Sequence, residues 1–239
     1  MKKNFEMNMS EGKILGKLII YSIPLICTNV LQLLFNAADV AVLGMFVSDD
    51  AVAAVGATGA LINLIIGLFV GLSVGANVLV ARFAGEQNMD SSHKTVSTSV
   101  IVSLIAGLFL AFIGFFFAET FLEWTNCDPE VIGMATKYLK IYFIGMPIML
   151  LYNFCASILR AVGDTLRPLI FLVIGGLVNV GLNIFFVAVL KKDVEGVAIA
   201  TVASQAISAV LSIIVLLKGN GYARLDMKKF RVYFPELKE

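Results

Sequence analysis

Asp39 is the one acidic residue that falls deep inside an apolar run of this 239-residue chain; every other Asp and Glu lies at or beyond the end of such a run. A charged group at the centre of a bilayer costs roughly 2.5–3.5 kcal/mol on insertion scales, and residues that bear this cost face cavities and handle protons, ions or substrates. Asn29, Gln32, Asn36 and Asp39 follow one another at steps of three, four and three. That spacing holds all four on one side of a helix, and the opposite side is Leu, Ile, Val and Ala. The stripe predicts a wet cavity lined by Asn29, Gln32 and Asn36, with a carboxylate at one end. Pro24, in the same run, removes a backbone hydrogen bond and is read as a hinge that lets the stripe swing.

Other runs carry weaker polar stripes. Asn179 and Asn183 share a helix face, as do Asn153 and Ser157, and Thr201, Ser204, Gln205, Ser208 and Ser212 lie largely on one side. Any one of these could be glue between helices, since such bonds average well under about 1 kcal/mol. Together they give several helices one polar face each, as a shared cavity requires, with Asn153 and Gln205 among its lining. Gly67, Gly71 and Gly75 stand at four-residue steps, a small-xxx-small pattern that predicts helix packing rather than chemistry.

The elements that must position these residues are membrane spans. The chain is 59% hydrophobic and 15% charged, against about 25% charged in soluble domains. Six apolar segments, at 18–47, 51–81, 95–118, 131–159, 168–190 and 194–217, each approach or exceed the ~20 residues needed to cross a bilayer. The first is longer than the apolar core of a cleavable leader, ~7–15 residues, and is read as a retained span. The fold class expected is an all-α, six-helix integral membrane bundle. Residues 1–17 form an N-terminal cytoplasmic segment, 18–217 the bundle and 218–239 a basic cytoplasmic tail. Fourteen of the eighteen Lys and Arg fall on the side of the two termini and four on the other, which places both termini in the cytoplasm. The tail reads as a membrane-surface linker, with Leu225, Met227, Phe230 and Phe234 able to form an amphipathic turn.

A net charge of +1 argues against a nucleic-acid partner, and one histidine and three separated cysteines frame neither a His-based metal site nor a disulfide scaffold. No phosphate-cradling Gly-x-x-x-x-Gly-Lys run, His-Glu-x-x-His or Gly-x-Ser-x-Gly occurs, so the chain is not read as an enzyme and needs no organic cofactor. Transport, if it occurs, draws on an ion gradient or on a partner.

At this point the residues resemble the N-terminal lobe of the multidrug and toxic compound extrusion (MATE) transporters over roughly 10–239. The features are Pro24 with Asp39 and Gly44; Ala81-Arg82-Phe83-Ala84-Gly85; Arg160-Ala161-Val162-Gly163-Asp164-Thr165 before Pro168; and Asn179-x-x-x-Asn183. The resemblance implies cation-coupled export of small organic, often cationic, amphipathic compounds across the cell membrane. It also implies a coupling-ion pocket of Asp39, Asn179, Asn183 and Thr201, of which Asp39, Asn179 and Thr201 could hold a weak Na⁺. Asn183 stands where some members carry a second Asp, which favours H⁺ over Na⁺ as the coupling ion. The family has two such lobes and this chain has the features of one. A second lobe in a longer polypeptide or a parallel homodimer would complete the cleft, in contact with membrane lipids. The ending from Phe234 to Glu239 resembles the linker between lobes. Two other readings stay open: a lipid or lipid-linked oligosaccharide flippase, which would line its cavity with Arg or Lys, and a non-transporting half that packs against a partner membrane protein.

Overall fold

The computed structural model describes residues 14–227 and 230–233. Seven helices follow one another: α1 (Ile14–Phe46), α2 (Asp49–Gly85), α3 (Met89–Trp124), α4 (Ile132–Ile144), α5 (Met146–Ala161), α6 (Leu166–Ile184) and α7 (Val194–Lys218). No strand occurs among the described residues. Five of the helices are long and apolar enough to cross a membrane, and the bent pair α4–α5 makes a sixth span. Large apolar side chains cover the outside, among them Leu33, Leu64, Leu68, Phe112 and Leu177. That inverts the surface of a soluble domain and fits a lipid-facing exterior.

The turns explain where helices stop. Ser48 caps α2 by accepting a bond from the Ala51 amide at 3.2 Å, and Asp49 and Asp50 in the first turn complement the helix dipole. Asn88 caps α3 through the Ser91 amide at 3.1 Å. In the α5–α6 turn, Gly163 takes a left-handed φ of 81°, a conformation that suits a residue without Cβ. Asp164 beside it is fully buried; its Oδ1 accepts from the Arg167 amide at 3.1 Å and its Oδ2 stands 3.2 Å from Arg167 Nε.

Three expectations change. The fourth segment, read as one span over 131–159, is two helices bent by 52° at Gly145. Pro147 accounts for the break: it has no amide to donate to Phe143, four residues earlier, and its ring crowds that carbonyl. The bend is held from outside, because a Cβ on Gly107 of α3 would collide with the Pro147 backbone. Second, α3 begins at Met89 rather than near Thr95, so α2 and α3 are 37 and 36 residues long. At ~1.5 Å per residue each runs about 55 Å, well beyond a hydrocarbon core of ~30 Å. Third, α6 continues into one π-helical turn, Phe185–Val189, where the Leu190 amide bonds the Phe185 carbonyl at 3.0 Å.

The tail also differs from a surface linker. Ala223 and Leu225 are buried, while Met227 and Phe230 are exposed. Leu225 turns back to bond the Leu216 carbonyl at 2.9 Å. Phe234 and the linker-like stretch to residue 239 lie outside the described residues, as do residues 1–13 of the N-terminal segment.

Helix α5 is the central post, packed on α2, α3 and α7, while α1 rests mainly on α6. Apolar packing gathers at the two ends of the bundle. One cluster joins Leu43, Ala54, Leu122, Leu139, Phe143 and Val197. The other, at the end where α1 begins and α7 ends, joins Val80, Val96, Ile158, Leu159, Leu216 and Leu225. The polar residues lie between them.

Candidate functional site

Helix α1 runs unbroken through Pro24, which is buried, and the Thr28 hydroxyl donates to the Pro24 carbonyl at 2.8 Å. Asp39 lies seven residues before the end of the helix, about 10 Å along the axis. The carboxylate is therefore nearer the end opposite the termini than the middle of the span. It is buried, 7% exposed.

Three side chains from two helices close a ring with it. Asn183 Nδ2 donates to Asp39 Oδ1 and also to Asn179 Oδ1, the latter at 3.2 Å. Asn179 Nδ2 donates to Thr201 Oγ1 at 3.3 Å. Thr201 Oγ1 stands 3.3 Å from Asp39 Oδ2 and 3.0 Å from the Val197 carbonyl. A hydroxyl has one proton, so Thr201 serves one of these acceptors at a time. The i, i+4 spacing of Asn179 and Asn183 on α6 puts both amides on one face, where Asn183 meets α1 and Asn179 meets α7. Close approach is possible because Gly176 receives the Phe35 ring of α1, and Gly175 receives Ser208 of α7; a Cβ at either position would collide.

The ring opens on a cavity of about 410 Å³, within the ~300–1,000 Å³ usual for small-molecule sites. Gln32, Asn36, Asn153 and Gln205 line it, with Asn153 bonding the Met149 carbonyl at 2.8 Å. Among the described residues, Asp39 is the only charged one in its lining. Asn29 does not line it: the residue is exposed and lies off the cavity. The helical register was right, but the cavity ends one turn short of it. Ser157 and Asn77 prove to be glue between α2 and α5, through Ser157 Oγ to the Ser73 carbonyl at 2.8 Å and Asn77 Nδ2 to the Ser157 carbonyl at 2.7 Å.

The packing assigned to Gly67, Gly71 and Gly75 is corrected. All three are exposed, and a Cβ on any would meet nothing within 4 Å. Among the described residues the close-contact glycines are Gly107, Gly114, Gly145, Gly175, Gly176 and Gly196, which follow no four-residue rhythm.

Residues missed in the sequence are aromatic. Tyr138 and Tyr142 of α4 line the cavity with rings stacked at 5.9 Å, and Phe35 and Tyr152 add to the wall. Their i, i+4 spacing was a signal, but it is equally that of rings facing lipid.

As a seat for Na⁺ the ring offers Asp39, Thr201 and Asn179. Asn183, however, turns an N–H toward the carboxylate, and Asn179 Oδ1 already accepts from Asn183. Alkali cations need oxygens pointing inward. The arrangement instead satisfies a carboxylate with neutral donors.

Six apolar spans around a polar cavity with one buried carboxylate define a multi-pass membrane protein. The MatE family model matches residues 24–185, and the chain belongs to the MatE family. It is 26% identical to a probable multidrug resistance protein, YpnP of Bacillus subtilis, over 88% of this chain and 47% of that protein. It is 25% identical to the multidrug export protein MepA of Staphylococcus haemolyticus, over 95% of this chain and 50% of that one. Among solved structures, a MATE crystal structure in the bent conformation superposes with a TM-score of 0.86 at 26% identity, over 93% of this chain and 50% of that one. An outward-facing MATE family transporter of the MOP superfamily gives 0.83 at 26% identity, over 93% and 49%. The chain thus spans about half the length of the relatives it matches, the extent of one lobe.

Proposed function

We propose that this chain is a cation-coupled antiporter lobe that exports small organic cations, with a proton on Asp39 as the coupling ion. The observation that carries this reading is the buried ring of Asp39, Asn179, Asn183 and Thr201 at the edge of a cavity with no other charge. Protonating Asp39 removes the only negative charge that an organic cation would meet, so proton and substrate compete for one lobe. It also removes the acceptor toward which Asn183 and Thr201 point. Coupling then follows from differential affinity of the two protonation states for two positions of α1, with Pro24 as the hinge. The aromatic wall of Tyr138, Tyr142 and Phe35 supports a cationic substrate, because ring faces attract cations by about 0.5–2 kcal/mol.

Fourteen of eighteen basic residues lie on the side of the termini, which supports a cytoplasmic location for both. Asp39 then sits toward the outside, where the proton is loaded. A second lobe, in a longer polypeptide or as a parallel second copy, would supply the facing wall of the cleft. The absence of Lys and Arg from the cavity lining counts against a phosphate-bearing lipid as substrate.

The test is efflux of a fluorescent organic cation from cells or proteoliposomes. Asp39→Asn should fold and reach the membrane but lose proton-driven efflux. Equal efflux by the variant would sink the proposal. No efflux by the unaltered chain, with or without a second lobe, would favour a non-transporting half that packs with a partner.

A further inference from the structure

Basic residues are scarce at the end of the bundle away from the start of α1 and the end of α7. Of the four there, Lys137, Lys140, Lys191 and Lys192, Lys140 lies over the Phe115 ring at 5.7 Å. The other three line one cavity of about 200 Å³, separate from the cavity beside Asp39. Met134 and the buried Val194 give it apolar lining, and Asp193 and Glu195 line it too. Its parts are held in place from α4, from the turn after the π helix and from α7. Lys137 Nζ of α4 stands 3.8 Å from Glu195 Oε1 in the first turn of α7. Lys191 takes a left-handed φ of 51°, a conformation that glycine adopts more readily than any residue with a side chain, and strain of this kind gathers at ligand clamps. The Lys192 amide donates to the Phe186 carbonyl at 2.9 Å. Its Cβ packs where Gly196 leaves space, since a Cβ on that glycine would stand 2.9 Å from it.

We propose that this cavity binds the phosphodiester of an anionic phospholipid headgroup, in the leaflet beside the α3–α4 and α6–α7 loops. Charge is the first ground. Three ammonium groups against two carboxylates leave one positive charge in excess, which a phosphodiester neutralises and a zwitterionic headgroup does not. Place is the second. Val189 and Leu190, directly before Lys191, are apolar and exposed, so the lysines stand where the lipid-facing wall ends and headgroups begin. A lysine at that level meets a phosphate as a point charge on a flexible stem. The carboxylates can accept from the hydroxyls of a glycerol-type headgroup, and they repel a second anion. The orientation proposed above makes this the outer leaflet; the site itself does not depend on the transport reading.

The test is native mass spectrometry of the purified full chain, released from micelles that hold equal amounts of phosphatidylglycerol and phosphatidylethanolamine. The chain should retain phosphatidylglycerol in preference. Lys191→Gln should weaken that retention about five-fold, the weight of one lysine close to anionic headgroups. Lys191→Gln with Lys192→Gln should remove the preference, and Lys191→Arg with Lys192→Arg should keep it. Lys140→Gln deletes the same charge at the same end but outside the cavity, and should change nothing. Lys191 and Lys192 are exposed, so their variants should unfold at the same midpoint as the unaltered chain in lipid-free detergent. Equal retention of the two lipids by the unaltered chain overturns the proposal, as does an undiminished preference in the double Gln variant. Inorganic phosphate added alone tells the source of the anion. If it raises the unfolding midpoint as much as phosphatidylglycerol does, and the double Gln variant loses both effects, the cavity takes the free ion and the lipid assignment is overturned. Asp39→Asn should retain lipid as the unaltered chain does, so absence of efflux bears on the transport reading alone.

Discussion

Asp39, Asn179, Asn183 and Thr201 come from three stretches of sequence up to 162 positions apart and meet in one ring. Polarity in an apolar span and helical spacing marked each one and showed which share a face, whereas the grouping of the four was implied by the resemblance to the MATE family. Tyr138 and Tyr142 were not legible, since an aromatic ring costs nothing in lipid and so does not reveal which way it faces. Two outcomes follow at this scale. Thr201→Val removes one donor and should lower stability in detergent by about 0.5–1.5 kcal/mol, read as a lower unfolding midpoint, and weaken proton dependence of efflux. Replacing Tyr142 with Leu keeps the wall apolar but deletes a cation-attracting face. An organic cation should then lose about 0.5–2 kcal/mol of affinity, seen as a raised KM, while a neutral analogue of similar shape is little affected.

Among the elements, the existence and number of spans were plain from hydropathy, whereas their internal breaks were not. The bend between α4 and α5 depends on Pro147 meeting Gly107 on another helix, a contact that no local pattern encodes. The same holds for glycines. Gly67, Gly71 and Gly75 have the spacing of a packing motif yet face outward, while Gly107, with no motif, sits where helices touch. Substitution separates the two groups. Gly107→Ala drives a methyl into the Pro147 backbone and should destabilise by about 1–3 kcal/mol. Gly71→Ala meets nothing and should stabilise α2 by up to about 1 kcal/mol. Thermal unfolding of the two purified variants decides the matter, and equal midpoints would contradict the packing described.

For the whole molecule, an even number of spans puts the start of α1 and the end of α7 on one side, and the Cys127 loop between α3 and α4 on the other; the proposed orientation makes the latter the outside. A membrane-impermeant thiol reagent should therefore label Cys127 from outside intact cells, while tags at the termini stay protected. Partial burial raises the Cys127 thiol above its ordinary range, and the adjacent Asp128 adds to this. Labelling at neutral pH should thus be slower than for a free cysteine and should quicken as pH rises. Labelling only after permeabilisation would reverse the orientation. The basic-residue count supported that orientation from sequence alone. The docking of 219–227 was hidden, because a short basic tail with scattered apolar residues has the same composition whether it lies on a membrane or folds onto its own bundle.

The π-helical turn at Phe185–Val189 begins two residues after Asn183. A π turn holds one more residue than an α turn. The surplus is absorbed downstream of the ring, before Lys191 and Lys192. Shortening 185–189 by one residue should therefore return that turn to α geometry while Asn179 and Asn183 keep their aim. The loop that follows is tied to that turn rather than to the ring, since the Lys192 amide bonds the Phe186 carbonyl at 2.9 Å, like a slip joint placed beyond the working part of a shaft.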